Sequence, residues 1–323
     1  MTENPAGLVD VHAHFLTDRY VAEATRAGHV RPDGMPAWPS WSEDRHLRLM
    51  DEHGIARSVL SVSSPGVHFG SDTEAAALAR HVNDHAAAVR DRHPDRFGGF
   101  ASLPLPDVDA ALAELARALD ELGASGVALE SNVDGRYLGD PLFLPLLEEL
   151  HRREAVVFVH PTSPPNWAAV SPDRPRPMLE FPFDTTRTVA DLLFSGALER
   201  FDGIRFVIPH CGGALALLAD RVELFRTTFT PGSGASTRDQ LAGLWFDLAG
   251  TPFPTQVPAL ASVVGTGRLL YGSDFCFTPP EAVGRQLASI DAAGPQWRDL
   301  TTRNADRLLR VVRSEGASGA GAP

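Results

Sequence analysis

Eight short apolar stretches, most of them followed by a segment of helical periodicity, constrain this chain more than any other feature of its sequence. They are Val9–Phe15, Ile55–Val62, Phe97–Ser102, Gly126–Glu130, Ala155–Val159, Ile204–Pro209, Trp245–Leu248 and Arg268–Gly272. The intervening segments read as helices. One, capped by Ser42 or Asp44, ends near Gly54, and another spans Ser71–Arg92. A third carries Val108, Leu112, Leu115, Leu119 and Leu122 on one stripe and closes at Gly123. Leu142–Arg153, Thr185–Arg200 and Gly212–Arg226 follow, with two more helices after the last strand. Regular alternation of this kind specifies a parallel α/β protein, and a count of eight fits a closed (β/α)8 TIM barrel. The competing open, doubly wound sheet needs a Gly-rich turn after its first strand, which is missing here.

Two connectors break the rhythm. Thr17–Ser42, after strand one, contains Pro32, Pro36, Trp38, Pro39 and Trp41, and Pro161–Pro182, after strand five, is proline-rich with Trp167, Arg174 and Arg176. Long loops of this kind in a compact domain tend to carry function. The expected organisation is a single barrel domain over residues 1–313 and a disordered tail over 314–323, which reads SEGASGAGAP.

Composition removes several classes of function. The formal charge of -12 argues against nucleic acid or an anionic membrane as partner, since either requires a basic face. No apolar run is long enough to span a bilayer, and the N-terminal residues are polar, so a soluble, cytoplasmic protein is expected. Cys211 and Cys276 are the only cysteines and imply no disulfide framework. All 29 basic residues are arginine. With no lysine, Schiff-base chemistry and a binuclear centre bridged by a carbamylated lysine are both excluded.

The polar residues that end the strands point to chemistry. His12 and His14 stand at i and i+2 of strand one, so their imidazoles share a face. His160 ends strand five, His210 ends strand six and Asp274 follows strand eight. Taken singly, each fits a strand or helix cap. In a barrel, however, all of them converge at the C-terminal rim, where they can bind a divalent metal. Three imidazoles and a carboxylate favour Zn, while Mn, Fe and Co also accept them. His68 lies near the same rim, and the remaining histidines read as solvated or locally hydrogen-bonded. Trp38, Trp41, Trp167, Phe181 and Phe183 offer flat apolar surface for an aromatic ligand.

The motifs VDVHAHF, MDEHGI, VFVHP, LFSGALERFDGIRFVIPHCGG and LLYGSDF resemble those of the amidohydrolase superfamily, and within it the branch of metal-dependent, non-oxidative decarboxylases. The aminocarboxymuconate-semialdehyde decarboxylase pattern is similar in these motifs. The segments GMPAWPSWS, SSPG, ASLPLPDV, YLGDP and HPTSP bring the chain nearer to the 6-methylsalicylate decarboxylases. The resemblance implies that His12, His14, His160 and Asp274 bind one metal ion and that His210 is the catalytic acid/base beside it. By their own chemistry, either Asp274, as a weak ligand able to carry a proton, or His210 through a metal-bound water can protonate the ring carbon. The resemblance also implies a homodimer in which Arg221, eleven residues after His210, reaches the neighbouring site to hold a substrate carboxylate. The other substrate arginine of the muconate enzymes has no clear counterpart in GMPAWPSWS. A small aromatic acid of the 2-hydroxybenzoate type is therefore the expected substrate. The same ligand set also suits hydrolysis of a lactone, ester or amide by an activated water. A non-enzymatic, metal-storing scaffold is the third reading.

Overall fold

In the computed structural model, which describes residues 7–171, 173–229 and 234–310, the eight expected strands form one sheet in chain order. They are β1 (Leu8–His14), β2 (Ile55–Ser61), β3 (Phe97–Ser102), β4 (Gly126–Glu130), β5 (Val156–His160), β6 (Arg205–Ile208), β7 (Trp245–Asp247) and β8 (Leu269–Leu270). Every neighbouring pair is parallel. The sheet closes on itself where β8 and the residues after it meet β1. Parallel bridges join Asp10 to Tyr271 and Ala13 to Phe275, and the Val11 N–H donates to the Tyr271 carbonyl at 3.0 Å. Buried Asp10 ties this seam, its Oδ1 accepting from the Ser273 N–H at 3.0 Å and the His12 N–H at 3.1 Å.

One buried cluster draws on all eight strands: Val9 and Val11, Val59, Phe100, Ala128, Val156 and Phe158, Val207, Trp245 and Leu270. It fills the barrel, and Ala305, Leu308 and Leu309 of the final helix pack against it. The His12 ring meets Phe158 edge-on at 4.8 Å, so polar groups begin directly on this apolar layer. Truncating such a phenylalanine to alanine costs about 3–5 kcal/mol.

Several segments differ from the sequence expectation. The first connector contains a helix, Asp18–Arg26, whose first turn is capped by the Thr17 hydroxyl accepting from the Tyr20 N–H. Of its nine residues only Tyr20 and Ala24 are buried. The helix expected from Thr185 starts at Glu180 and ends at Phe194, where Gly196, at φ 74°, separates it from the turn Ala197–Arg200. The one expected from Gly212 starts at Leu215, because His210–Gly212 forms a tight turn. Two helices between β6 and β8, Thr237–Ala242 and Val257–Val264, have no counterpart in the sequence reading. The two long connectors are joined across the rim: Ser163 donates to Asp33, and Arg176 donates to Ser163 and lies 3.6 Å from Asp33. No helix among the described residues is long and apolar enough to cross a membrane. The segment 314–323 lies outside the described residues.

Beside the seam, fully buried His46 accepts from the Trp41 indole N–H at 3.0 Å and packs edge-on against Phe97 and Phe275. Burial, with smaller contributions from His14 and Arg96, pushes its pKa down from 6.5 to about 3. Between those values the unfolded chain takes up a proton that the folded chain refuses. Stability therefore falls as pH drops through this window, by up to about 1.4 kcal/mol per pH unit. Between pH 7 and pH 5, His46→Asn, whose amide oxygen can still accept from Trp41, is expected to lose about 2 kcal/mol less unfolding free energy than the parent. Urea titrations at the two pH values measure this, and equal losses in both proteins would remove His46 as the cause.

Candidate metal centre

Strand geometry brings the far-separated side chains together. His12 and His14 end β1 on one face, His160 ends β5, and Asp274 follows β8 across the closing seam. One ligand atom from each of these four residues lies within 4.8 Å of all the others. The Nε2 atoms of His12 and His14 are 3.0 Å apart, and Asp274 Oδ1 lies 3.5 Å from the first and 3.2 Å from the second.

The outer contacts fix what these atoms are. His12 Nδ1 donates to Asp247 Oδ2 at 2.9 Å, while His14 Nδ1 faces the Ser61 carbonyl at 3.3 Å and the Ser61 hydroxyl at 3.1 Å. A carbonyl can only accept, so in both neutral rings Nδ1 carries the proton and Nε2 presents a lone pair. Two buried lone pairs and a carboxylate oxygen aimed at one another repel unless a cation lies between them. The donor set, three imidazoles and one carboxylate, suits a single divalent ion.

For two of the three imidazoles electrostatics points the same way. Burial, reinforced by the neighbouring His14 and His12, pushes His160 well below the ordinary histidine value, and burial also lowers His14. For His12, burial pulls downward, but the Asp247, Asp274 and Asp10 carboxylates together outweigh it and the net shift is upward. Burial raises Asp274, yet the facing His14, His210 and His12 imidazoles together prevail and hold it well below the carboxylate range.

Asp247 was not singled out in the sequence, although it ends β7 just as His160 ends β5. Its Oδ2 holds the His12 ring and its Oδ1 accepts the His210 N–H at 3.0 Å, so one carboxylate positions both. His210 Nε2 lies 3.7 Å from Asp274 Oδ2, the oxygen turned away from His12 and His14. His210, Cys211 and Asp274 all have left-handed backbones, with φ of 54°, 53° and 58°. Such conformations cost about 1 kcal/mol or more for L-residues and gather at functional sites.

Residues 9–311 match the amidohydrolase family. The chain belongs to this family. It is 37% identical to a 6-methylsalicylic acid decarboxylase of Aspergillus aculeatus, over 96% of this chain and 98% of that protein. A crystal structure of a protein named amidohydrolase II shares 34% identity and a TM-score of 0.87, covering 94% of this chain and 99% of that one. The dihydroxybenzoic acid decarboxylase of Polaromonas, solved with manganese and 2-nitroresorcinol, is 23% identical with a TM-score of 0.81, covering 97% and 99% of the two chains, and shows the same fold.

In this amidohydrolase the expected substrate residues are scattered. Phe181 is buried and edge-on to His160 at 5.9 Å. Trp38 meets Phe277 at 6.3 Å, and Phe277 in turn meets His14 at 5.6 Å. Phe277 was missed because it lies outside both long connectors. Trp41 instead packs on Phe15, His46 and His85 and anchors its loop. Trp167 is stacked beneath Arg176 at 4.0 Å, on a cavity of about 370 Å³ over β2–β4 that adjoins the centre through Glu130 and Thr162. Phe183 is exposed. His68 spends its ring nitrogens locally, on Asp72 and on the Gly70 N–H. Arg221 is exposed on the helix Leu215–Phe229, 5.0 Å from the Phe225 ring.

Proposed function

We propose that this chain is a metal-dependent, non-oxidative decarboxylase of a small aromatic acid, with 6-methylsalicylate or a close 2-hydroxybenzoate as substrate. The observation that carries the reading is the split of Asp274: one oxygen faces the imidazole cluster and the other faces His210. When bound, the divalent ion supplies a Lewis acid and a template for the substrate carboxylate and its ortho hydroxyl. His12, His14, His160 and Asp274 hold it. The three imidazoles and one carboxylate favour Zn, whereas the manganese of the Polaromonas enzyme supports Mn.

Decarboxylation cannot pass through a bare aryl anion, so a proton must first reach the ring carbon that bears the carboxylate. Asp274 and His210 form the pair that carries that proton. A C–H bond forms at that carbon. The C–C bond to the carboxylate then breaks, its electron pair returns to the ring, CO2 leaves and aromaticity is restored. Phe181 and Phe277, edge-on to two of the ligands, bound the ring's position. Purified protein incubated with salicylate-type acids is expected to release CO2. Turnover of a lactone or ester panel without CO2 release from any acid overturns the proposal in favour of hydrolysis.

A homodimer belongs to the same reading. The helix Leu215–Phe229 exposes Leu217, Leu224, Phe225 and Phe229 around Arg221, with Leu217 82% and Phe229 72% accessible. Grouped exposed apolar side chains of this kind support a contact surface, here with a second copy. Leu224→Glu is expected to yield monomers by light scattering. Arg221→Ala is expected to leave the dimer intact and raise KM about tenfold, the loss of roughly 1.4 kcal/mol of carboxylate binding. A monomeric parent, or an unchanged KM, removes Arg221 from the site.

A further inference from the structure

Two of the three imidazoles share one arrangement. In His12 and His14, Nδ1 is held by an acceptor outside the cluster and Nε2 faces inward. His160 lacks the corresponding Nδ1 bond, and its Nε2 lies 3.4 Å from the Ser63 hydroxyl. Its Nδ1 is buried and unpartnered, and so is Oε2 of Glu130, 3.9 Å away. That gap is too short for a bridging water, which needs roughly 4.5 Å or more between the groups it joins. A shift of about 1 Å would close it into a direct hydrogen bond.

The sheet builds this proximity in. Glu130 and His160 are register partners at the ends of the adjacent parallel strands β4 and β5. Gly66, at φ 76°, lies against the other side of Glu130; a Cβ there would come within 3.2 Å of the Glu130 Cγ. Gly66 thus limits the Glu130 side chain on the face away from His160.

Resting on the metal-centre reading above, the geometry points to Glu130 as the positioning residue of His160. In the loaded protein its carboxyl accepts the Nδ1–H and turns Nε2 from the Ser63 hydroxyl toward the ion, completing for the third ligand what Asp247 and Ser61 do for the first two. Acceptors of this kind set how tightly a metal is held.

The test is a titration of metal-stripped protein with Zn2+ against a chelating indicator. Glu130→Gln, which keeps the shape but weakens the acceptor, is expected to lose about tenfold in Zn2+ affinity, and Glu130→Ala to approach a hundredfold. The thermal midpoint of metal-free Glu130→Gln should match that of the metal-free parent. Should Glu130→Ala fail to fold, Glu130→Gln alone decides. A lowered metal-free midpoint with affinity within twofold of the parent would mean a packing role only and overturns the inference while leaving the metal centre standing. A parent that binds no stoichiometric metal overturns both.

Discussion

Asp274→Asn is expected to reduce kcat for decarboxylation by about a thousandfold or more while leaving the barrel folded. The substitution preserves shape, and asparagine tolerates the left-handed backbone at φ 58° as well as aspartate does. What it removes is the negative charge between His14 and His210 and the capacity to take up and release a proton. General acid catalysis alone contributes about 10²–10⁴-fold, and the weakened ligand adds to the loss. Rates measured with excess divalent metal and saturating aromatic acid, alongside circular dichroism, separate chemistry from folding. A variant within tenfold of the parent would falsify the role assigned to Asp274. His210→Asn should show a similar loss with metal content unchanged, because His210 lies outside the ligand cluster.

The second large effect comes from stripping the metal. Without a cation, the lone pairs of His12 and His14 face each other at 3.0 Å with the Asp274 oxygen beside them. That repulsion is a property of the folded state only. Binding at a thousand times the dissociation constant stabilises the native state by about 4 kcal/mol. Chelator-treated protein is therefore expected to lose turnover, unfold at a lower temperature, and recover both on return of Mn2+ or Zn2+. Undiminished turnover at substoichiometric metal, with no thermal shift, contradicts the assignment of the centre.

The clustered side chains and His210 beside them were legible in the sequence because strand-end position is a local property that a barrel converts into convergence. His12, His14, His160, His210 and Asp274 needed only the strand count and the parallel order. Asp247 obeyed the same rule and was missed, because an acid after Trp245 and Phe246 reads as an ordinary strand terminus until its two partners are known. Glu130 was hidden for a different reason: its relation to His160 is a matter of register between β4 and β5, which the sequence of neither strand encodes. The aromatic residues were harder still. Trp38, Trp41 and Trp167 look alike in proline-rich loops, yet one reaches toward the centre through Phe277, one braces its own loop and one stacks under an arginine. Side-chain direction in a loop depends on contacts made across the rim, such as the Asp33, Ser163 and Arg176 link between the two connectors.

Because the seam between β1 and β8 runs through the metal centre, the first ligands to leave the ribosome, His12 and His14, wait for the last, Asp274, until nearly the whole polypeptide has been translated. A half-synthesised chain offers at most three imidazoles without their carboxylate. The complete ligand set therefore exists only once the segment after β8 has been made, and a chain truncated upstream of position 274 is left with an incomplete set even where most of the sheet has formed.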